Sequence, residues 1–457
     1  MKSLSNSAVR GWVTIGIAGL VIVCGLWGIA ALTASMARGS VVNTMVQTGS
    51  GVLPAGGSQR AVVKITLDAP KTLTNTDRPP VNLAIVLDRS GSMAGKKIQK
   101  AKEAAIEALR RLGPKDIFSV VVYDHNVRTV VPAQYVKNSE GIEARIRRIR
   151  PGGKTALFAG VSQGAAQIRK NIEEKYVHRI ILLSDGIANV GPSSPNDLGR
   201  LGAALLKEGI SVTTVGVGVD YNEDLMTRLS QKSDGNSYFV ESSTDLPRIF
   251  AAELGDVLNV VAKKVRMIIE CPEGVKPLRL VGRDGRIKGR TVELSMNQLY
   301  GGQEKYALLE VEVPKSKDGQ TLEVAVAKIS YDNALSGRRE TSVGKTSVRF
   351  SKDTVEVKKS VNAKVQEAHV LTRNAMAQEA AISFADSGKP QAAVRRLNES
   401  AGELRKLGKK YDSGLLLKKA VKLEQQAETI SKEGMTRKSR KDLRTDSFQM
   451  KNQQYAH

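Results

Sequence analysis

Apolar positions follow a changing period along this chain, and each change marks a boundary. Trp12 to Leu32 is apolar almost throughout, about 21 residues or ~31 Å as a helix, enough to cross a bilayer. Residues 1–38 therefore read as an N-terminal transmembrane helix, or as a signal cleaved near Ala37 within the small-residue stretch Ser35-Met36-Ala37. Lys2 and Arg10 flank the span with no acid between them. That asymmetry keeps the first residues cytoplasmic and sends the bulk of the chain to the periplasmic or extracellular side. Residues 39–60, rich in Gly and Ser, predict a flexible linker.

Beyond the linker, Ala61 to Leu67 (AVVKITL) alternates like a half-buried strand, and a polar, Pro-containing stretch to residue 80 separates it from the next apolar run. From 81 to 258, apolar strands alternate with amphipathic helices. Strands fall at 81–87, 117–123, 127–131, 179–183, 210–217 and 237–240, with helices between them. Such alternation implies a doubly wound, mainly parallel α/β sheet covered on both faces. From 259 to 355 the period drops to two, which predicts an antiparallel β-sandwich-like domain. The strand at 61–67 is expected to complete that domain, so the α/β domain becomes an insertion between its first and second strands. Residues 356–432 carry Ala- and Leu-rich helical faces broken at Ser387-Gly388-Lys389-Pro390 and at Gly408, a helical hairpin or three-helix module. Residues 433–457, with Arg437, Lys438, Arg440, Lys441 and Arg444, read as a solvated basic tail.

The chemistry lies at strand ends. The run Val81 to Leu87 stops at Asp88, expected to face solvent at the strand end, and the next residues spell D-x-S-x-S: Asp88, Ser90 and Ser92. Open α/β sheets place ligands just past the carboxyl ends of such strands. Thr155 follows a glycine pair in GGKTALFAG, and Asp185 ends the strand RIILLSD. Two carboxylates and three hydroxyls form a hard, oxygen-only set, suited to Mg²⁺, Mn²⁺ or Ca²⁺ rather than to zinc. Taken alone, Asp88 and its serines could equally punctuate a turn or cap the following helix.

Composition narrows the remaining choices. The formal charge is +24 and aromatic residues make up 4%, yet no zinc-finger spacing, aromatic RNA-binding signature or compact helix-turn-helix accompanies the charge, so nucleic acid is not the expected partner. Cys24 lies in the apolar N-terminal run and Cys271 stands far from it, which argues against a disulfide framework. His125, His178, His369 and His457 show no metal-ligand spacing, and His125 and His178 are expected at the surface. No Ser/His/Asp set is legible.

Asp88, Ser90, Ser92, Thr155 and Asp185 together resemble the metal-ion-dependent adhesion site of von Willebrand factor type A domains. The layout around them is similar to bacterial relatives of inter-alpha-trypsin heavy chains and of calcium-activated chloride-channel-like proteins. The resemblance implies one divalent cation, Mg²⁺ before Mn²⁺ or Ca²⁺, touched by Ser90, Ser92 and Thr155, with Asp88 and Asp185 often acting through water. It implies a protein partner that offers an Asp or Glu carboxylate to the ion, and binding rather than turnover. The expected function is therefore an exported, membrane-tethered adhesion protein that is not an enzyme. A metal-dependent hydrolase, or an ion-channel-associated protein, is the alternative; hydrolysis needs a general base beside the metal, and none is evident in the sequence.

Overall fold

The computed structural model describes residues 41–70 and 78–454. The apolar span at 12–32, Cys24 and the cleavage site near Ala37 lie outside the described residues. Among those described, no helix is long and apolar enough to cross a membrane.

The flexible linker expected at 39–60 is a correction. Asn43–Thr48 forms strand β1 and Val52–Pro54 forms β2. In NTMVQT the residues Thr44, Val46 and Thr48 turn inward, so a period of two operates even though two of the three inward residues are threonines. Gln59–Asp68 is β3, and β1 pairs with it antiparallel from Asn43 to Thr48.

Val81–Asp88, β4, is buried at every position. Then come α1 (Lys96–Arg110), β5 (Ile117–Tyr123), β6 (Val127–Tyr135), α2 (Ser139–Arg147), α3 (Leu157–Arg169) and β7 (Val177–Ser184). The α/β domain closes with α4 (Pro195–Lys207), β8 (Ile210–Val217), α5 (Glu223–Ser233), β9 (Ser237–Val240) and α6 (Leu246–Val257). The sheet order is β6-β5-β4-β7-β8-β9. Every pairing is parallel except that of β6, which runs on to Tyr135 rather than stopping at Val131. Leu83, Ile85 and Leu87 of β4 pack with α1, α2 and α6, whereas Ala84 and Val86 pack with α3, α4 and α5. Burial on both faces is why these strands are continuous apolar runs rather than alternating ones. The chain reaches β5 on one side of β4 and β7 on the other, so the loops after β4 and β7 diverge. They leave a crevice at the carboxyl edge of the sheet.

The next strands are β10 (Val260–Glu270), β11 (Lys276–Val281), β12 (Arg286–Lys288), β13 (Thr291–Tyr300), β14 (Glu304–Val313), β15 (Thr321–Asn333) and β16 (Arg339–Ser351). They join the first three in two sheets, β1-β3-β14-β11 and β12-β13-β10-β15-β16-β2. Ile65, Leu67, Met267, Ile269, Leu309 and Phe350 belong to their shared core. The α/β domain thus leaves this β-domain after β3 and returns at β10. Arg179 of β7, with no exposed side chain, ties the two together. Its guanidinium donates to Thr213 at 3.1 Å and to Gln298 at 2.6 Å, and lies 3.4 Å from Glu253.

After a short α7 (Thr354–Lys359), three long helices follow: α8 (Ala363–Asp386), α9 (Pro390–Lys410) and α10 (Gly414–Glu433). A fourth, α11 (Arg437–Asn452), corrects the expected three-helix module and solvated basic tail. Thr436 caps it by accepting from the Ser439 amide, and Leu443 is buried among α8, α9 and α10. The basic residues that suggested a tail are satisfied by acids far away in sequence. Lys441 is buried 2.6 Å from Glu223, and Arg440 reaches Asp224 at 2.6 Å and Asp386 at 2.8 Å. Arg444 lies 2.7 Å from Asp224. Burial works against the charged form of Asp224, but Arg444 and Arg440 outweigh it and hold this carboxyl below its usual range.

Arg440→Ala is expected to lower the free energy of urea unfolding by about 2 kcal/mol, the scale of lost charge-assisted hydrogen bonds. Because Asp224 is depressed, its share of that stability is present at neutral pH and is lost only as pH falls below about 4. Denaturation curves at neutral and acid pH check this; an unchanged midpoint at neutral pH would show that α11 is held by other contacts.

Candidate metal centre

Three neighbouring strands, β4, β5 and β7, each run into an aspartate: Asp88, Asp124 and Asp185. The crevice beside β4 gathers the loops that follow them. Asp88 is the last residue of β4 and is fully buried, a correction to the expectation that it faces solvent. Its Oδ1 accepts the Ser90 amide at 2.8 Å, and its Oδ2 accepts the Ser184 hydroxyl at 2.7 Å. Ser90 Oγ lies 3.1 Å from Ser92 Oγ, and the Ser92 hydroxyl donates to Asp185 Oδ1 at 2.7 Å. Ser90, Thr155 and Asp185 are buried, while Ser92 is exposed at the mouth.

Thr155 enters from the α3 side. Gly160 and Gly164 let α3 approach closely, since a methyl group at either would meet Tyr123 or Val86 at 2.6 Å. The two loops are stitched together by backbone bonds, Gly152 N–H to Arg89 at 2.7 Å and Gly91 N–H to Gly153 at 3.1 Å. Asn189 holds Thr155 in turn, its side chain accepting the Thr155 amide at 2.9 Å. A single point then collects the oxygens. A methyl group placed on Gly186 would lie 3.3 Å from Thr155 Oγ1, 3.5 Å from Ser92 Oγ and 3.9 Å from Asp88 Oδ2. The structure thus brings Asp88, Ser92 and Thr155 around one small space, with Ser90 and Asp185 attached through Ser92.

The donor set fits a hard divalent cation. Among the described residues no group of three or more His, Cys, Asp or Glu side chains could hold a metal ion, so a cation here depends on the hydroxyls. Burial pushes the Asp88 carboxyl up to about 6, against hydrogen bonds from Ser90 and Ser184 that lower it, and the neighbouring Asp185 adds to the rise. A buried carboxylate in that condition gains most from a nearby positive charge. Lys97 supplies one to Asp185 only, its Nζ 2.5 Å from Asp185 Oδ2. Mg²⁺ would find five oxygen side chains, only two of them charged, and would keep room for an outside ligand.

Sequence patterns missed Ser184, Lys97, Asn189 and Asp124. Ser184 adjoins Asp185, and Asp124 ends the strand IFSVVVY just as Asp88 and Asp185 end theirs, so both had a local signal. Lys97 and Asn189 had none. Asp124 accepts the Asn126 amide at 2.7 Å and pairs with Arg89 at 2.7 Å. His178 is a second correction: it is buried, hydrogen-bonded to the Glu173 carbonyl at 3.2 Å, and held by burial at about 4, well below the usual imidazole range.

The Asp88 carboxyl is raised in the folded chain, so the charged form weakens the metal-free fold at pH above about 6, and protonation restores stability as pH falls toward 4. In EDTA, Asp88→Asn should therefore unfold later than wild type at about pH 8, by about 1–3 kcal/mol, with the gap closing near pH 4. Excess Mg²⁺ should reverse the order by stabilising wild type alone. Thermal melts with and without EDTA decide it, and a variant less stable than wild type in EDTA at pH 8 contradicts the assignment.

Comparison with known proteins agrees with this geometry. Residues 82–252 match the family model of the von Willebrand factor type A domain. An uncharacterized protein of Synechocystis sp. is 28% identical over 271 residues, covering 57% of this chain and 64% of that protein. Inter-alpha-trypsin inhibitor heavy chain H2 of Mus musculus is 29% identical over 180 residues, 37% of this chain and 19% of the relative. The chain thus spans less than two thirds of the length of either relative. A solved von Willebrand factor type A protein from Catenulispora acidiphila superposes with a TM-score of 0.66 at 18% identity, covering 83% of this chain and 90% of that one. At that identity the likeness speaks for the fold alone, and it extends well beyond the α/β domain. The strand-end aspartates, the hydroxyl-rich crevice and the family match converge: this chain carries a von Willebrand factor type A domain at residues 82–252.

Proposed function

We propose that this chain is an exported, membrane-tethered binding protein that grips a partner protein through a divalent cation, Mg²⁺ in the first instance. The cation is held by Asp88, Ser90, Ser92, Thr155 and Asp185, and an Asp or Glu of the partner completes its coordination. The observation that carries this reading is the small space beside Gly186, lined by Thr155, Ser92 and Asp88 oxygens and open to solvent at Ser92. Hydroxyls leave the ion short of negative charge, and a partner carboxylate supplies what is missing. Binding is favoured over catalysis because the hydrogen bonds described for the site oxygens run to serines, Lys97 and backbone amides, with no histidine among them. Tethering rests on the apolar span at 12–32 and its basic flank.

The test is capture of partners from solubilised membranes by the full-length chain. Asp88→Ala should capture no more than wild type in EDTA, and Ser90→Ala should fall between, because water can replace one hydroxyl. Capture that survives both EDTA and Asp88→Ala would refute the metal bridge. For location, a reporter active only outside the cytoplasm, fused at the C-terminus, should be active, and a cytoplasmic reporter should be silent. The opposite pattern would refute export.

A further inference from the structure

Directly beside the metal centre lies a cavity of about 510 Å³ lined by five arginines and three aliphatic residues, with no acid among them. Arg89 comes from the loop after β4, Arg128 from β6, Arg145 from α2, and Arg148 and Arg150 from the segment that leads to Thr155. Arg89 sits between Asp88 and Ser90, and its guanidinium reaches the Arg150 carbonyl at 3.4 Å, so the cavity wall and the metal-site loops are the same pieces of chain.

These charges are not balanced from within. Arg89 pairs with Asp124. Glu143, the acid of α2 nearest in sequence, is taken at 2.7 Å by Arg110 and at 3.0 Å by Arg147, neither of which lines the cavity. Among the described residues, Arg128, Arg145, Arg148 and Arg150 have no carboxylate partner, and all four are exposed. Lys102 beneath them donates to the Arg147 carbonyl at 3.3 Å, its ammonium held below the usual range by burial and by repulsion from Arg150 and Arg147. By contrast, the basic residues of α11 meet acids one by one. Clustered guanidiniums without partners repel one another, and an anion that enters relieves the repulsion. Each planar fork also suits the two oxygens of a carboxylate.

We propose that this arginine groove is a second anion-binding site, and that the partner docks an acidic peptide segment across it, with one carboxylate on the metal and further Asp or Glu side chains on Arg128, Arg145, Arg148 and Arg150. Only the first carboxylate rests on the metal-bridge reading; the groove stands on its own charges. A peptide is favoured over a nucleic acid because the remaining lining residues, Val122, Val130 and Ile149, offer no aromatic face on which bases could stack.

The experiment uses the full-length chain and a fluorescein-labelled oligo-glutamate peptide, read by anisotropy in Mg²⁺ at low and physiological salt. Arg128→Ser/Arg148→Ser should weaken binding by about tenfold or more, as the loss of charge-assisted bonds implies, and should flatten the salt dependence. Arg169→Ser/Arg200→Ser removes the same charge from α3 and α4 and should change affinity by less than about twofold. Equal binding by the groove variant and wild type overturns the proposal. So does binding of heparin or an oligonucleotide with no binding of the peptide, which would make the groove a general polyanion site. EDTA separates the two readings. Peptide binding that survives EDTA but not Arg128→Ser/Arg148→Ser upholds the groove and sinks the metal bridge; binding lost in EDTA yet indifferent to the groove variant does the reverse.

Discussion

Two aspartates buried at the ends of adjacent parallel strands set the terms for the rest of the site. Asp88 and Asp185 share the crevice beside β4 with hydroxyls, and among the described residues no third acid joins them as a group that could hold a metal ion. Charged carboxylates in such a place need a cation. Lys97 supplies one at Asp185, and Asp88 is left with a raised affinity for protons. A divalent ion would answer both needs, and the hydroxyls of Ser90, Ser92 and Thr155 would hold it without cancelling its charge. The fold allows this arrangement because strand order reverses at β4, so the loops after β4 and β7 part instead of packing together.

The same carboxyl edge carries the unbalanced arginines. Chain geometry links the two features, since the segment leading from α2 to Thr155 supplies Arg148 and Arg150 on its way to the metal-site loop. On the proposed reading, positive charge beside a bound cation would draw acidic segments toward the crevice, raising encounter rates and rejecting basic surfaces. A large formal charge of +24 therefore has distinct local meanings. At α11 it is taken up by internal ion pairs; beside the metal centre it faces outward.

Away from that edge, the two β-sheets and the four long helices form the body on which the α/β domain is mounted. Arg179 reaches out of β7 to Gln298, while α11 crosses from the helices to α5 and β9. These ties join segments more than a hundred residues apart, so the insertion is held at several points and not by its two chain crossings alone.

Sequence by itself determined what depends on neighbours within a few residues. Buried parallel strands must be apolar runs, and a ligand loop must begin where such a run stops. That made Asp88, Ser90, Ser92 and Asp185 legible, along with the change from α/β alternation to period-two strands, whereas Thr155, which follows no apolar run, was joined to them by the resemblance to the metal-ion-dependent adhesion site. Tertiary structure decided everything that depends on partners distant along the chain. Residues 39–60 read as a linker because Gly and Ser signal flexibility locally, yet β1 becomes a strand by pairing with β3. The C-terminal cations read as a solvated tail because Arg437, Lys438, Arg440, Lys441 and Arg444 cluster there and outnumber the local acids Asp442 and Asp446; Glu223 and Asp224, some 217 positions away, hold them as a helix. Asp88 seemed exposed because strand ends usually are, and only the packing of β4 between β5 and β7 buries it. Local pattern records which residues can form an element, whereas burial and ion pairing are properties of the assembled fold, so no local window contains them.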